Sequence, residues 1–429
     1  MQLEAVRTGP SGCPPQARPI CIATATASLW RPRDGQRMLR RSMTVAPAPA
    51  FSVTLLALAG FLSGMGIRAT DALLPVIAAD FRISVAAAGI TVAAFTLPYG
   101  LMQIVFGPLG DRFGKMRVIA CALAAYAVAT LACAAAGSLS QLVVLRAFAG
   151  GAAGGLIPLG MAHIGDMVPY EHRQATIGRF LTGMVMAQLL SGPLGGIFGD
   201  TLGWRGLFVL LGVTALLAAA VLLRSARAPA AVPEGGGFGL IRFVELFRRP
   251  EGRLVTLSAF VDGFLLFGSF AYLGAYLREA FGLPYTQVGL ILSVFGLGSL
   301  VYTRLAGPMV RALGEARLLL AGGLVLTACL AATVLAPDWR WVVPAQFGLG
   351  LGFFMFHGVL QARATEAMPE ARATAVSGFA MMLFLGQAAG ALLIGLAITQ
   401  AGWQAAYLAW AAGILALSLV LRGLLGRRA

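Results

Sequence analysis

Five charged side chains lie inside otherwise apolar stretches of this sequence: Arg68, Asp71, Arg146, Asp262 and Arg304. A charge at the bilayer centre costs about 2.5 kcal/mol or more, so such groups face water, face each other or carry function. Arg68 and Asp71, in "GMGIRATDALLP", are three residues apart and share one helix face, which lets them pair directly. Two readings stay open. In one, the pair is structural and simply satisfies both charges. In the other, Asp71 takes up and releases a proton, with Arg68 and Arg146 tuning it. Burial favours the neutral acid and a nearby guanidinium the carboxylate, so small displacements can move the balance. Asp262, in "SAFVDGFLLFGSFAYLGAY", is a candidate second acid, suited to a cationic substrate or to a water-filled mouth. His357 and His163 can titrate near neutral pH, although a lone histidine in such surroundings also serves as a hydrogen-bonded packing residue. Arg304 lies close to the end of its apolar run and can snorkel outward.

Other chemistries are poorly supplied. The five cysteines (Cys13, Cys21, Cys121, Cys133, Cys329) have no metal-ligand spacing, so neither a metal site nor a disulfide is expected. No Ser-His-Asp arrangement or nucleotide-binding loop accompanies the few polar residues in the apolar runs, which argues against an enzyme. The chain contains no Asn, and the amides within the runs are Gln103, Gln188, Gln346, Gln361 and Gln387. Sugars, which need many buried hydrogen-bonding groups, are therefore disfavoured as ligands. The stretches "GFFMFHG" and "GFAMMLFLGQ" offer adaptable apolar surface, and Phe354, Met382, Gln387 and Gln188 join Asp262 and His357 as cavity candidates.

The elements that position these groups follow from composition. The chain has 429 residues, of which 59% are hydrophobic and 11% charged, with a mean hydropathy of +0.83. Apolar runs long enough to cross roughly 30 Å of hydrocarbon as helix recur near 52–79, 85–108, 116–136, 139–162, 175–199 and 205–223. Six more fall near 254–277, 285–309, 317–336, 341–362, 373–399 and 404–422. They lack the alternation of membrane barrel strands. The expected fold is all-α and integral to the membrane, with twelve transmembrane helices. Placing the N-terminus inside puts 25 of the 32 Lys and Arg on the cytoplasmic side and four outside (Arg82, Arg205, Arg278, Arg340). Both termini are thus expected in the cytoplasm of a multi-pass cell-membrane protein. The net charge of +15 is a topology signal; no soluble basic face for nucleic acid is present. Residues 1–50 are expected to form a disordered cytoplasmic tail, with Met43 a possible true start.

The chain also repeats itself. At an offset of 200 residues Phe81 matches Phe281, Gly89 matches Gly289, Phe95 matches Phe295 and Gly150 matches Gly350, while "GPLGDRFGKMR" from Gly107 matches "GPMVRALGEAR" from Gly307. At 199 Gln188 pairs with Gln387, and Gly203-Trp204 with Gly402-Trp403. Two six-helix halves, 51–223 and 254–429, are expected around a cytoplasmic linker, 224–253, that holds Pro229, Pro233, Gly235 to Gly237 and an amphipathic "FVELFRR".

"GPLGDRFGKMR" resembles the signature loop of the major facilitator superfamily, and the resemblance covers residues 51–429. It implies the major facilitator fold and secondary transport by alternating access, with Gly107, Asp111, Arg112, Gly114, Lys115 and Arg117 as a gating loop. In that loop Asp111 would face the N-terminal end of the helix near Arg372, while Gly107 and Gly114 would permit a tight turn. Asp71 in "DALLP" and Arg146 in "VVLRAFAGGAAGG" resemble the acidic residue and the arginine of drug/proton antiporters. Gly192, Pro193, Gly195 and Gly196 match a glycine-rich antiporter signature, with Gln188 standing where that pattern opens with Gly. The resemblance implies a proton-coupled exporter of small apolar or amphipathic compounds, monomeric and driven by the proton gradient without a cofactor. A proton-coupled importer of an organic acid is the alternative, and a non-transporting membrane receptor a remote one.

Overall fold

The computed structural model describes residues 50–225 and 240–426. The expected tail up to residue 49, with Met43, Cys13 and Cys21, lies outside the described residues. So does the middle of the expected linker, with Pro229, Pro233 and Gly235 to Gly237.

Backbone groups in hydrocarbon must all be bonded internally, so uninterrupted apolar runs fold as helices. The described residues are nearly all helical and contain no strand. In chain order the helices are α1 (Ala50–Arg68), α2 (Leu74–Phe81), α3 (Ile90–Phe113), α4 (Lys115–Ala134), α5 (Leu139–Ala153), α6 (Leu156–Met167), α7 (Tyr170–Asp200), α8 (Gly203–Ser225), α9 (Leu240–Arg248), α10 (Pro250–Asp262), α11 (Leu273–Phe281), α12 (Tyr285–Leu335), α13 (Val342–Glu366) and α14 (Arg372–Gly426). Among the described residues nine helical stretches are long and apolar enough to cross a membrane, counting α5 with α6 and α10 with α11 as one each, against the twelve runs counted in the sequence. Two of them, α12 and α14, extend through two apolar runs each and turn at Gly314 (φ 70°) and Gly402 (φ 79°). Within α1 the stretch Val53–Arg68 counts as a shorter apolar helix, and the chain makes a turn after Arg68 before α2 begins.

The repeat is written in the backbone. Among the described residues the positive φ angles are those of Arg82, Gly114, Gly203, Gly282, Gly314 and Gly402. They pair as Arg82 with Gly282, Gly114 with Gly314 and Gly203 with Gly402, at the offsets of 200 and 199 that the sequence shows. Each pair reverses the chain at corresponding points of the two halves, where only a residue that tolerates the left-handed region fits comfortably. Within the gating loop one expectation changes. α3 continues through Gly107 to Phe113, so Gly107 is helical with open space around it, and the turn is made by Gly114 alone (φ 88°).

The two halves meet along glycine-lined seams in which backbones touch. A Cβ on Gly192 of α7 would stand 2.3 Å from the carbonyl oxygen of Gly289 in α12, and one on Gly289 would stand 2.0 Å from that of Gly192. α10 packs on α14 in the same manner within the second half. At one end of the bundle the halves are also tied by hydrogen bonds. Asp200, the last residue of α7, accepts from the backbone N–H of Tyr285 (3.0 Å) and Thr286 (2.7 Å) and from the Thr286 hydroxyl (2.7 Å). Tyr272 donates to the Ala86 carbonyl at 3.3 Å. At the opposite end, the ion pairs Lys115–Asp166 and Arg363–Glu315 each join residues within one half, and Arg249–Glu370 joins the end of the linker to the second half. The bundle is therefore closed across the repeat at the Asp200 end.

Candidate transport site

Asp71 sits where α1 breaks. The helix stops at Arg68, residues 69–73 form a turn, and α2 restarts at Leu74, so the last carbonyls of α1 lack their normal partners. Arg146 of α5 fills part of that gap: Nη1 donates to the Gly66 carbonyl (2.9 Å) and Nε to the Thr91 carbonyl (3.2 Å), with the guanidinium over the Phe95 ring at 4.3 Å. A cation at a helix C-terminus also suits the helix dipole. A Cβ on Gly66 would stand 2.8 Å from the Phe95 ring and 2.9 Å from the Tyr126 hydroxyl, so only glycine fits under the ring that covers the guanidinium. This capping role was not visible in the sequence, because nothing in "GMGIRATDALLP" fixes where the helix will stop.

Arg68 donates through Nη1 to Asp71 Oδ2 at 3.1 Å, and both side chains are buried. The i,i+3 pairing expected from spacing is thus formed. The remaining Asp71 oxygen, Oδ1, and Arg68 Nη2 are buried without a hydrogen-bond partner. Both residues line a small cavity of about 10 Å³ with Gln188, Ser191, Gly192 and Phe270, a volume near the lower limit for one water molecule. Organic ligands occupy pockets of about 300–1,000 Å³. In this conformation the site is sized for water and protons.

Arg68 has a second environment. The rings of Phe267 and Phe270 each lie 4.5 Å from its guanidinium, an arrangement that stabilises a desolvated cation. Those rings are presented by an irregular stretch between α10 and α11: a π-helical turn over Gly263–Phe267, then a break at Ala271 and Tyr272. Residue 271 is the repeat counterpart of Asp71, so both halves interrupt a helix at the same point. Interruptions at corresponding positions of two repeats mark the binding region in many transporters.

The second half contains a buried pair that spacing could not reveal. His357 of α13 places Nδ1 2.7 Å from Asp262 Oδ2, 95 positions away in sequence, and both side chains are buried. The His357 ring stacks on Phe353 (centroids 4.6 Å, planes 21° apart) and touches Phe379 (5.1 Å). Phe353 was missed in the sequence, although its position four residues before His357 puts the two on one helical face. The candidate Phe354 points elsewhere, stacking on Tyr302 at 6.4 Å.

The remaining candidates divide. Gln188 belongs with Asp71, and Gln387 is buried with Nε2 unsatisfied. Met382 is half-buried in the apolar core. Gln346, the repeat counterpart of Arg146, is fully buried with both amide atoms unsatisfied. In the antiporter-like motif, Gly192 and Pro193 lie against Gly289, Gly196 against Tyr285 and Gly195 beside Ala72, so the motif forms the seam at the closed end. In the gating loop, Lys115 bonds Asp166 (2.5 Å) and Asp111 (3.4 Å), Arg112 lies over Phe113 and Arg117 is exposed. Asp111 therefore pairs with Lys115, while Arg372 pairs with Glu366 at 3.5 Å. His163 is half-buried and Arg304 exposed.

Comparison with known proteins agrees with this architecture. The chain is 28% identical over 351 residues to the MFS-type transporter YceJ of Bacillus subtilis strain 168, covering 78% of this chain and 87% of YceJ. It is 27% identical over 374 residues to a chloramphenicol resistance protein of Streptomyces lividans, covering 86% and 93%. Among solved structures, it superposes on an inward-facing, unoccupied bacterial homologue of the human lysosomal transporter Spinster with a TM-score of 0.67, at 20% identity over 87% of this chain and 94% of that one. A D-xylose–proton symporter gives 0.71 at 16% identity over 86% and 96%. The family model for the Major Facilitator Superfamily matches residues 56–277 and 255–429, and the chain belongs to this superfamily of membrane transporters.

Proposed function

We propose that this secondary transporter is a proton-coupled antiporter that exports small apolar or amphipathic compounds, with Asp71 as the proton-carrying group. The observation that carries the reading is the Arg68–Asp71 pair at the break after α1, with one carboxylate oxygen and one guanidinium nitrogen unsatisfied on a water-sized cavity. A carboxylate held by one cation at a single oxygen is easily released: a proton on Oδ1 frees Arg68, whose charge is then shared with the Phe267 and Phe270 rings. Arg146, fixed to two backbone carbonyls, stays in place as a constant positive charge near Asp71. The proton gradient supplies the energy, and no cofactor is required. The likeness to the chloramphenicol resistance protein supports the export assignment.

By the basic-residue count, the end carrying Lys115 faces the cytoplasm and the Asp200 end faces outward. On that orientation the outer end is the closed one, and Asp111, paired with Lys115 here, would turn to α14 when the cytoplasmic end closes. The domain plan is two six-helix bundles, 51–223 and 254–429, acting as a monomer. The alternative, import of an organic acid with a proton, draws on the unsatisfied Arg68 Nη2, which could receive an anion.

Energised inverted vesicles carrying a pH-sensitive dye, challenged with lipophilic cations and weak acids, test the reading. Compound-evoked proton efflux that disappears in Asp71→Asn supports antiport. Wild-type fluxes in the variant would make Asp71 a structural partner of Arg68. Acid-evoked proton uptake would favour the symporter.

A further inference from the structure

The buried charged side chains among the described residues are Arg68, Asp71, Arg146 and Asp262, accompanied by one buried histidine, His357. With His357 neutral the two cations balance the two anions across the whole interior. The balance is uneven within it, because Arg68, Asp71 and Arg146 lie in the first half and Asp262 in the second. Asp262 is a carboxylate whose ion-pair partner is an imidazole, and a buried anion is costly unless a cation compensates it.

The surroundings offer no other compensation nearby. Along α10 and the turn after it, residues 254–271 contain no ionisable side chain except Asp262. On α13, residues 341–362 contain none except His357. On α14, the stretch 373–406 that packs against both contributes none before Tyr407. From α12 the ionisable group facing this region is Tyr302, whose ring meets Phe354. Across the repeat an aromatic partition separates His357 from the buried cation Arg68: Phe267 lies over Arg68 at 4.5 Å, Phe267 meets Phe353 at 4.8 Å, and Phe353 stacks on His357 at 4.6 Å.

From this geometry we propose that Asp262 and His357 together hold one exchangeable proton, making a second proton site in the second half of the transporter. In the empty form the neutral imidazole donates its Nδ1 hydrogen to Asp262 Oδ2. The arriving proton adds to Nε2, converting the pair from a net single negative charge to a neutral carboxylate–imidazolium pair, and the Nδ1 bond stays in place. Stacking on Phe353 and contact with Phe379 favour the cation by presenting ring faces to it. The π-helical turn that begins at the residue after Asp262 ends at Phe267. Proton occupancy therefore acts on the backbone segment that carries the cover of Arg68. The same negative charge is what a cationic substrate would seek, so proton and cation compete for it.

The test is solid-state NMR of the full chain in lipid with nitrogen-15 histidine, titrated without any transported compound. The chain has three histidines, and the signal absent in His357→Gln identifies the relevant one. In the wild type, the His357 nitrogens should pass from one proton to two as the medium is acidified. In Asp262→Asn, the midpoint should fall by about one pH unit or more, a tenfold loss of proton affinity. A His357 that keeps one protonation state throughout, or whose midpoint is unchanged in Asp262→Asn, overturns the proposal. The wild-type titration requires no substitution, so it decides the matter even if a variant fails to fold. It also uses no substrate: failure of the Asp71 antiport reading leaves it intact, and a silent His357 leaves Asp71 untouched.

Discussion

Removing the Asp200 carboxylate should unlatch the closed end of the bundle. The first residues of α12 follow Pro284, which has no side-chain acceptor for their free N–H groups, and Asp200 supplies that acceptor from the other half. Loss of a capping side chain costs about 0.5–2 kcal/mol, and loss of a negative charge at a helix N-terminus a further 0.3–1 kcal/mol or about that. In Asp200→Ala the closed form should therefore lose about 1–3 kcal/mol against the open one, a shift of roughly 5- to 150-fold in their ratio. Asp200→Asn, which keeps an acceptor without the charge, should fall between. The readout is double electron–electron resonance between nitroxides at Leu202 and Leu335, both exposed, one in each half, in a background without the native cysteines. A longer-distance population should grow in Asp200→Ala. A distribution identical to the unsubstituted background would refute the idea that these three hydrogen bonds hold the end shut.

The backbone pairs make two further tests. Gly282 has φ +66° with open space where a Cβ would go, so Gly282→Ala should cost about 1–2 kcal/mol from conformation alone, whereas Arg82→Gly should raise the melting midpoint in detergent. At the seam, Gly289→Val inserts a side chain where even a Cβ would stand 2.0 Å from the Gly192 carbonyl. The variant should reach the membrane in normal amounts yet lose transport, and retained transport would show that the seam need not close.

Much of this architecture was legible because lipid imposes simple rules. Apolar runs became helices, and the offsets of 200 and 199 reappear as matched positive-φ turns, Arg82 with Gly282 among them. The Arg68–Asp71 pair was legible too, since three residues on a helix fix a neighbour. What escaped is non-local. Asp262 and His357 meet only because α10 and α13 pack together, and Arg146 caps α1 only because the helix stops at Arg68. Gly107 was misassigned to a turn, since one glycine at Gly114 is enough to reverse the chain between two helices.

The central claim is that Asp71 surrenders a proton when a transported compound binds. The direct measurement is proton release on binding: purified transporter in weakly buffered detergent, pulsed with a compound that evokes flux in vesicles, with the pH change followed by dye. The account predicts release in the wild type and none in Asp71→Asn while the compound still binds. Equal release from the two proteins would contradict it.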